Sequence, residues 1–491
     1  MTGKKMKSTV DLPAGRSAVQ EEAGQAQTAY RVEHDSIGDR NVPADAYYGV
    51  QTLRAVENFR ITGLNLHSEM INSLAQIKKA AAITNCEIGL LDPKITEAIV
   101  KACDEIIAGE LRKDFVVDPI QGGAGTSLNM NANEVIANRA IEHMGGKKGD
   151  YRIVHPNDHV NLSQSTNDVI PTAGKMTTIR LLMTLRTQLL CLHLALSKKA
   201  AEFNHVIKMG RTQMQDAVPI RLGQEFKAYA DAIMRDIGRI EKTTEEMQPI
   251  NMGGTAIGTG VNADAAYLQN IVPTLNKVSG LNLIQAADLI DATQNLDPFV
   301  AVSGAVKTCA VTLSKIANDL RLMSSGPRTG FGEINLPAKQ NGSSIMPGKV
   351  NPVIPEVVNQ VAFNVIGNDM TITLAAEAGQ LELNAFEPII FYNLFQSIDT
   401  LGFAVETFVD NCIIGITANE ERCRQQVENS VGIVTTLSPI IGYQQAADIA
   451  KKALSQNRPV RDIIVEEKLL SPEEVDRILD PISMTEPGFF R

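Results

Sequence analysis

Hydrophobic residues recur every three or four positions over long stretches of the chain, which is the spacing of one face of an α-helix. The clearest stretch runs from Lys175 to Met209, 35 residues without glycine or proline, and predicts a helix about 50 Å long at 1.5 Å per residue. Four further long helices are predicted, over residues 221–247, 298–325, 356–379 and 388–415. Five such helices indicate an elongated helix bundle and a mainly α fold.

Shorter helical patterns lie on both sides of this bundle. Residues 68–89 and 93–108 precede it, and Ser471-Pro472-Glu473-Glu474 reads as the capping box of a helix that follows it. Asp297-Pro298 resembles a helix N-cap with proline at the first helical position. The chain is therefore divided into a disordered N-terminal extension, an N-terminal helical domain, a central bundle domain and a small C-terminal helical domain, over residues 1–29, 30–165, 166–421 and 422–491.

Composition narrows the possible functions. Aromatic residues are scarce at 4%, so the core must rest on aliphatic side chains, which suits packed helices. The net charge of −10 argues against a nucleic-acid or anionic-membrane partner, and no apolar run reaches the length of a membrane span. The six cysteines are dispersed, which is typical of reduced thiols in a cytoplasmic protein. The histidines show no metal-ligand spacing.

Four polar segments interrupt the helical pattern, and each is predicted to open a helix. They are Gln121–Ser127, Gln164–Asp168, Gly210–Asp216 and Gly342–Pro352. Each one alone reads as a turn or an N-cap, but together they suggest a composite site for a small molecule with two negative charges. Backbone N–H groups at helix starts and hydroxyls would bind one carboxylate, and Lys349 would bind the other. The residues do not themselves reveal whether the four segments meet.

The fourth segment, Gly-Ser-Ser-Ile-Met-Pro-Gly-Lys-Val-Asn-Pro at 342–352, closely resembles the Gly-Ser-Ser-x-Met-Pro-x-Lys-x-Asn-Pro motif of the aspartase/fumarase superfamily of lyases. The resemblance extends from about Arg31 to the C-terminus. It implies a mainly α, three-domain fold that assembles as a homotetramer around one shared bundle of central helices. It also implies active sites that combine loops from three subunits.

The resemblance implies a role for each matching residue. Ser343 would be the base that removes a proton from the carbon next to a carboxylate, which leaves an enediolate. Thr126, Ser165, Thr166 and Ser344 would bind the carboxylate on which charge develops. Lys349 and Asn351 would bind the other carboxylate with Thr212 nearby, and Asn167, Gln213 and Thr126 would face the leaving amino group.

The choice of substrate depends mainly on Gln213. Fumarases usually carry histidine there, and water elimination needs a proton donor for the hydroxyl that leaves, whereas an ammonium group can leave as ammonia. The aspartase branch, which converts L-aspartate to fumarate and ammonia, is therefore favoured. The alternatives are fumarate hydratase, a lyase for a substituted aspartate, and a non-catalytic structural protein. The chemistry requires no cofactor, and the sequence contains no evident metal cage.

Overall fold

The computed structural model describes residues 29–487. Residues 1–28 and 488–491 lie outside the description, and so does nearly all of the segment predicted as a disordered extension.

The first third of the described chain contains a β-hairpin followed by four helices. These elements are β1 (Tyr30–Asp35), β2 (Gly38–Pro43), α1 (Val50–Asn58), α2 (Ser68–Glu87), α3 (Pro93–Ile107) and α4 (Thr126–His143). The two strands are antiparallel, with Tyr30 opposite Pro43. A single π-helical turn at Pro156–Val160 then leads towards the bundle.

The middle of the chain contains the long helices. Its elements are α5 (Thr166–Glu202), β3 (Ile207–Thr212), β4 (Gln215–Arg221), α6 (Leu222–Glu245), β5 (Pro249–Ile250), α7 (Ala265–Ser279), β6 (Ile284–Gln285), α8 (Asp291–Gln294), α9 (Asp297–Met323), β7 (Ile334–Asn335), α10 (Val353–Glu377) and α11 (Glu387–Asn411). The remaining elements are β8 (Thr417–Ala418), α12 (Glu420–Glu428), α13 (Ser438–Ile441), α14 (Tyr443–Gln456), α15 (Val460–Glu466) and α16 (Pro472–Ile478).

Five long helices form the predicted bundle. Helix α5 packs against α6 and α11, α9 packs against α6 and α10, and α10 packs against α11. One hydrophobic core runs continuously from the first third of the chain through these helices. A second, smaller core lies among the elements from α12 to α16 and includes Met209 of β3. The mainly α fold expected from the sequence is confirmed.

Helix α5 differs from its prediction at both ends. It begins at Thr166 rather than Lys175 and ends at Glu202, since Ile207–Thr212 form a strand. The helix runs through Pro171, which has no N–H to donate to the carbonyl of Asn167. The side chain of Asn251 replaces that donor, with its Nδ2 3.0 Å from the Asn167 oxygen. A contact distant in sequence therefore allows the helix to begin before the proline.

The two predicted caps have different outcomes. Ser471 caps α16, and its hydroxyl and the Glu474 side chain form the reciprocal bonds of a capping box, as predicted. The N-cap prediction for Asp297 is wrong. The N-cap of α9 is Leu296, and its side chain makes no capping bond. Asp297 is already the first helical residue, so its carboxylate lies one position too late for the capping geometry.

By length and composition alone, α5 and α9 reach what a membrane span requires, since each contains an 18-residue stretch whose mean hydropathy is 1.3 in α5 and 1.4 in α9. Helix α5 nevertheless buries the side chains of two lysines, Lys175 and Lys199. Their ammonium groups donate to the backbone oxygens of Pro249, at 2.6 Å, and Ile416, at 2.8 Å. These contacts place α5 inside the bundle. A helix in the core of a bundle can be as long and as apolar as a membrane span.

Candidate active site

The segment Gly342–Pro352, called the serine loop below, lies between β7 and α10 and closes on itself. The N–H of Gly342 donates to the Lys349 carbonyl at 2.9 Å, and Asn351 Nδ2 donates to the Gly342 carbonyl at 2.8 Å. A Cβ atom at position 342 would lie 2.3 Å from the Lys349 oxygen. Only glycine fits this crossing, so the glycine at the start of the motif is a requirement of the loop's shape.

Ser343 lies at a sharp turn of the serine loop. Its Oγ accepts hydrogen bonds from the backbone N–H groups of Ile345, at 3.1 Å, and Met346, at 3.0 Å. Donors aimed at an oxygen stabilise its negative form more than its neutral form. These two donors would stabilise a deprotonated Ser343 oxygen, which the prediction of a base at this position requires.

Lys349 and Asn351 line a cavity of about 950 Å³ between the serine loop and the end of α9. Arg321 and Glu356 line the same cavity, whereas Ser343 does not. The guanidinium of Arg321 donates to Asn359 Oδ1 at 3.1 Å, which ties α9 to the first turns of α10. Two cationic side chains facing one cavity suit an anionic ligand.

The helix starts of α4 and α5 bring a second group of polar residues together, called the carboxylate cradle below. Its members are Thr126, Ser165, Thr166 and Asn167. Ser165 caps α5, since its Oγ accepts the N–H of Asn167 at 3.3 Å. Thr126 is the first residue of α4. One turn further along α4, Asn129 Nδ2 donates to Thr166 Oγ1 at 3.2 Å. None of the four side chains is buried in the single chain.

A glycine-rich loop at residues 253–256 contacts the start of α5, next to the carboxylate cradle. Asp168 is fully buried and accepts backbone N–H groups from Ser165 at 2.9 Å and from Gly253 and Thr255 at 3.1 Å each. Burial raises the pKa of Asp168 to about 6, against the effect of these hydrogen bonds. Asn167 Nδ2 donates to the Ala256 carbonyl at 2.7 Å. Three hydrogen bonds, two accepted by Asp168 and one donated by Asn167, therefore fix the start of α5 to residues 253–256.

The third polar segment does not open a helix, contrary to the prediction. Thr212 and Gln215 are paired in the β3–β4 hairpin, so Gln213 and Met214 form its two-residue turn. Both have positive φ angles, 54° and 64°. Turns of this kind favour Asn-Gly, and side chains other than glycine or asparagine are strained there. Gln-Met gave no turn signal in the sequence, which explains the error.

A buried cluster of charged side chains links this hairpin to the segment between α9 and β7, which precedes the serine loop. Glu333 is fully buried, and its carboxylate lies 2.6 Å from Arg211 Nη1 and 3.3 Å from Lys208 Nζ. The Glu333 N–H donates to the Met323 carbonyl at the end of α9. The hairpin and the serine loop consequently lie at the same end of the bundle.

The ten site residues predicted from the sequence thus fall into three groups: the carboxylate cradle, the hairpin turn with Thr212 and Gln213, and the serine loop with Ser343, Ser344, Lys349 and Asn351. The cradle begins α5, whereas the hairpin follows its other end. The 37 residues of α5 span about 55 Å at 1.5 Å per residue. A single chain does not bring all three groups together.

Sequence reasoning missed the residues beneath the carboxylate cradle, in particular Lys78, Asn129 and Asn161. One signal was present for Lys78. Leu74 and Ala82 lie one turn before and one turn after it on α2, and both are buried, so the helical period places Lys78 on the core face. Within residues 29–487, no group of three or more His, Cys, Asp or Glu side chains is arranged to hold a metal ion.

Comparison with protein families gives two matches. A family model described as lyase matches residues 38–367, and a model described as the fumarase C C-terminus matches residues 433–486.

Similar proteins cover almost the whole chain. An aspartate ammonia-lyase of Bacillus subtilis is 56% identical over 94% of this chain and 97% of its own. One from Helicobacter pylori is 54% identical over 94% of this chain and 99% of its own. Among solved structures, a fumarate lyase of Brucella melitensis superposes with a TM-score of 0.91 at 52% identity, covering 94% of this chain and all of that one. A class II fumarase of Schistosoma mansoni gives a TM-score of 0.90 at 36% identity, with the same coverage of both chains.

Proposed function

The chain belongs to the aspartase/fumarase superfamily of lyases, and we propose that it is an aspartate ammonia-lyase that converts L-aspartate reversibly to fumarate and ammonia. Relatives named for this activity are more than half identical over nearly the whole chain. The observation that carries the proposal is the intact serine loop, in which two N–H groups are directed at Ser343 Oγ.

In the proposed reaction, Ser343 is the base. Its deprotonated oxygen takes the proton from the carbon next to one carboxylate of L-aspartate. The electron pair of the broken C–H bond moves into that carboxylate and gives an enediolate. A free hydroxyl is too weak an acid for this role at neutral pH. The N–H groups of Ile345 and Met346 stabilise the deprotonated oxygen, and we assign the ammonium of Lys349, on the same loop, as a further source of positive charge.

The enediolate carries extra charge, and donors directed at its oxygens lower the barrier to its formation. We assign this role to the hydroxyls of Thr126, Ser165, Thr166 and Ser344. Lys349 and Asn351, with Thr212, bind the second carboxylate. The enediolate then collapses, the carbon–carbon double bond forms, the carbon–nitrogen bond breaks, and ammonia leaves anti to the abstracted proton.

Gln213 supports ammonia rather than water as the leaving group. Thr126, Asn167 and Gln213 are assigned to the amino group, and none of these side chains titrates near neutral pH. An ammonium group needs hydrogen-bond acceptors but no proton donor in order to leave. The hydroxyl of malate would need an acid that this set does not provide.

We propose that the protein assembles as a homotetramer, and the separation of the three groups supports association between copies. Because the cradle lies about 55 Å along α5 from the hairpin, we infer that a complete site combines loops from different copies. Helix α10 offers a surface for such association, since four large apolar side chains along one face are exposed. They are Phe363, Ile366, Met370 and Leu374. We place the enzyme in the cytoplasm, where its dispersed cysteines, free in the described residues, would stay reduced.

The test is the ultraviolet absorbance of fumarate, recorded with purified protein and L-aspartate or, separately, L-malate. We expect absorbance to rise with L-aspartate and not with L-malate. A rise with L-malate alone would make the protein a fumarase and overturn the role of Gln213. No rise with either substrate would overturn the proposal and favour a substituted aspartate or a structural role.

A further inference from the structure

Lys78 lies on α2 with its side chain completely buried. Its Nζ donates to Asn161 Oδ1 at 2.8 Å and to Gln164 Oε1 at 3.0 Å. Lysine is almost never fully buried without a charged partner, and both acceptors here are neutral amides. Burial lowers the pKa of Lys78 to about 7, and the nearby Asp168 carboxylate opposes part of this effect. Such an arrangement is costly for the fold and requires a reason.

The hydrogen bonds of Lys78 lead to the carboxylate cradle. Asn161 Oδ1, which accepts from Lys78, also accepts from Asn129 Nδ2 at 3.1 Å. The same Asn129 nitrogen donates to Thr166 Oγ1 at 3.2 Å. The second acceptor, Gln164, immediately precedes Ser165 in the chain, and its Nε2 is held by the Val160 carbonyl at 3.0 Å. Asn161 is therefore linked to Thr166 through Asn129, and Gln164 is joined directly to Ser165 by the chain.

This network determines what the Thr166 hydroxyl can offer. A threonine hydroxyl has one donor and two acceptor positions. Asn129 occupies an acceptor position of Thr166, so the O–H proton remains available for a carboxylate oxygen outside the network. If Asn161 turned away, the amide of Asn129 would lose its second acceptor, and the preferred direction of the Thr166 hydroxyl would be lost with it.

We propose that Lys78 is a positioning residue for the carboxylate cradle, acting through Asn161 and Gln164 to orient Thr166 and Ser165 towards the substrate. The inference rests on the proposed function, because the cradle is assigned there to the carboxylate on which charge develops. Lys78 does not touch the substrate. Its ammonium group fixes two amide oxygens in the core, and these fix the groups that do.

The first experiment compares two variants, each of which removes one buried ammonium group. Lys78→Met removes the proposed positioning group, and Lys199→Met removes a lysine near the opposite end of α5, bound there to Ile416 and Glu202. We expect Lys78→Met to lower kcat/KM for L-aspartate by about tenfold or more. The inhibition constant of succinate, a dicarboxylate that cannot eliminate ammonia, should rise with it. Lys199→Met should stay within about twofold of the parent.

A double-mutant cycle separates positioning from a general structural effect. If Lys78 acts through Thr166, then Lys78→Met should have little further effect on kcat/KM in a Thr166→Val background. A residue that only supports the core would lower activity by the same factor in both backgrounds. Multiplicative effects in the cycle, or a Lys78→Met enzyme with parental kcat/KM, would overturn the proposal.

Two controls keep the outcomes distinct. If Lys78→Met does not assemble, as judged by size-exclusion chromatography, Lys78→Gln keeps a neutral N–H donor group and should give an intermediate kcat/KM. Failure of both variants to assemble would assign Lys78 to folding and overturn the proposal. If the unmutated protein forms no fumarate from L-aspartate, the proposed function fails instead, and this result is seen before any variant is made.

Discussion

At the scale of single residues, the proposed chemistry depends on stabilising the deprotonated form of one serine. The two N–H groups on Ser343 Oγ are provided by the backbone of the same turn, so they are in place whenever the serine loop keeps its shape. The loop in turn depends on the crossing of Gly342 and Lys349. The two donors to Ser343 and the shape of the loop therefore depend on the same backbone, residues 342–352.

This view predicts the effect of removing the hydroxyl. Ser343→Ala should lower kcat by about a thousandfold, within the range of 10² to 10⁴ typical of a lost general base. The KM for L-aspartate should change little, because the carboxylate-binding groups remain. Initial rates of fumarate formation measure both quantities. Ser455→Ala, on the exposed surface of α14, is the control and should behave as the parent, whereas near-parental turnover by Ser343→Ala would mean that another group is the base.

A second prediction at this scale concerns the strained turn beside Gln213. Met214 has a φ of 64° and an exposed side chain. Burial of the side chain therefore does not offset the strain of the left-handed backbone. Met214→Gly should raise the free energy of unfolding by about 0.5 to 1 kcal/mol. Met234→Gly, in the middle of α6, should lower it by a similar amount, because glycine is unfavourable within a helix. Urea unfolding measures both, and a loss of stability in Met214→Gly would show that the turn is not strained.

At the scale of elements, the start of α5 depends on a contact that its own sequence cannot provide. Asn251 supplies the donor that Pro171 lacks. Asn251→Ala should therefore lower the free energy of unfolding by about 1 to 3 kcal/mol, the cost of an unsatisfied buried carbonyl. Pro171→Ala restores a backbone N–H for the Asn167 oxygen, so the same asparagine substitution should cost less in that background. Equal costs in the two backgrounds, measured by urea unfolding, would contradict this account.

The same element marks the limit of sequence-based prediction here. The spacing of apolar residues located α6, α9, α10 and α11 closely, because helical period is a local property. It missed the first turns of α5, since Pro171 and Gly174 read as helix breakers. In the structure Gly174 lies where a Cβ would approach the Phe391 ring to 2.3 Å, and close packing with α11 explains it. The strained hairpin turn left no signal at all.

For the site, the sequence identified the serine loop through its motif, and its resemblance to a family supplied the other residues. What it could not supply is the supporting layer. Asn129, Asn161 and Lys78 come from three separate segments, and only folding brings their amide and ammonium groups within hydrogen-bond distance. The helical period places Lys78 on the core face of α2, but no sequence pattern pairs it with Asn161 or Asn129, so a structure is needed to find the network.

At the scale of the whole molecule, the three groups of site residues lie at two ends of a long bundle. The serine loop and the hairpin share one end, and the carboxylate cradle occupies the other. Copies that pack with their bundles antiparallel would place the serine loop of one chain near the cradle of another. The exposed apolar face of α10, from Phe363 to Leu374, is suited to such packing.

Subunit mixing tests this arrangement directly. Ser343→Ala damages the serine loop and Thr166→Val damages the cradle, and each variant alone should be nearly inactive. If one site takes Ser343 and Thr166 from different chains, random mixing of equal amounts should make both residues intact in about one quarter of the sites. Activity should then recover to about a quarter of the parental value after the two proteins are dissociated and reassembled together.

The matched control mixes Ser343→Ala with Lys349→Ala, which damage the same loop. Every serine loop in that mixture carries one defect or the other, so no arrangement of subunits produces an intact site, and activity should not recover. Recovery in the first mixture and none in the second is expected only if the loop and the cradle come from different chains. If neither mixture recovers, although chromatography shows mixed assemblies, the two groups must meet within one chain, and the 55 Å length of α5 would then require a rearrangement of the bundle.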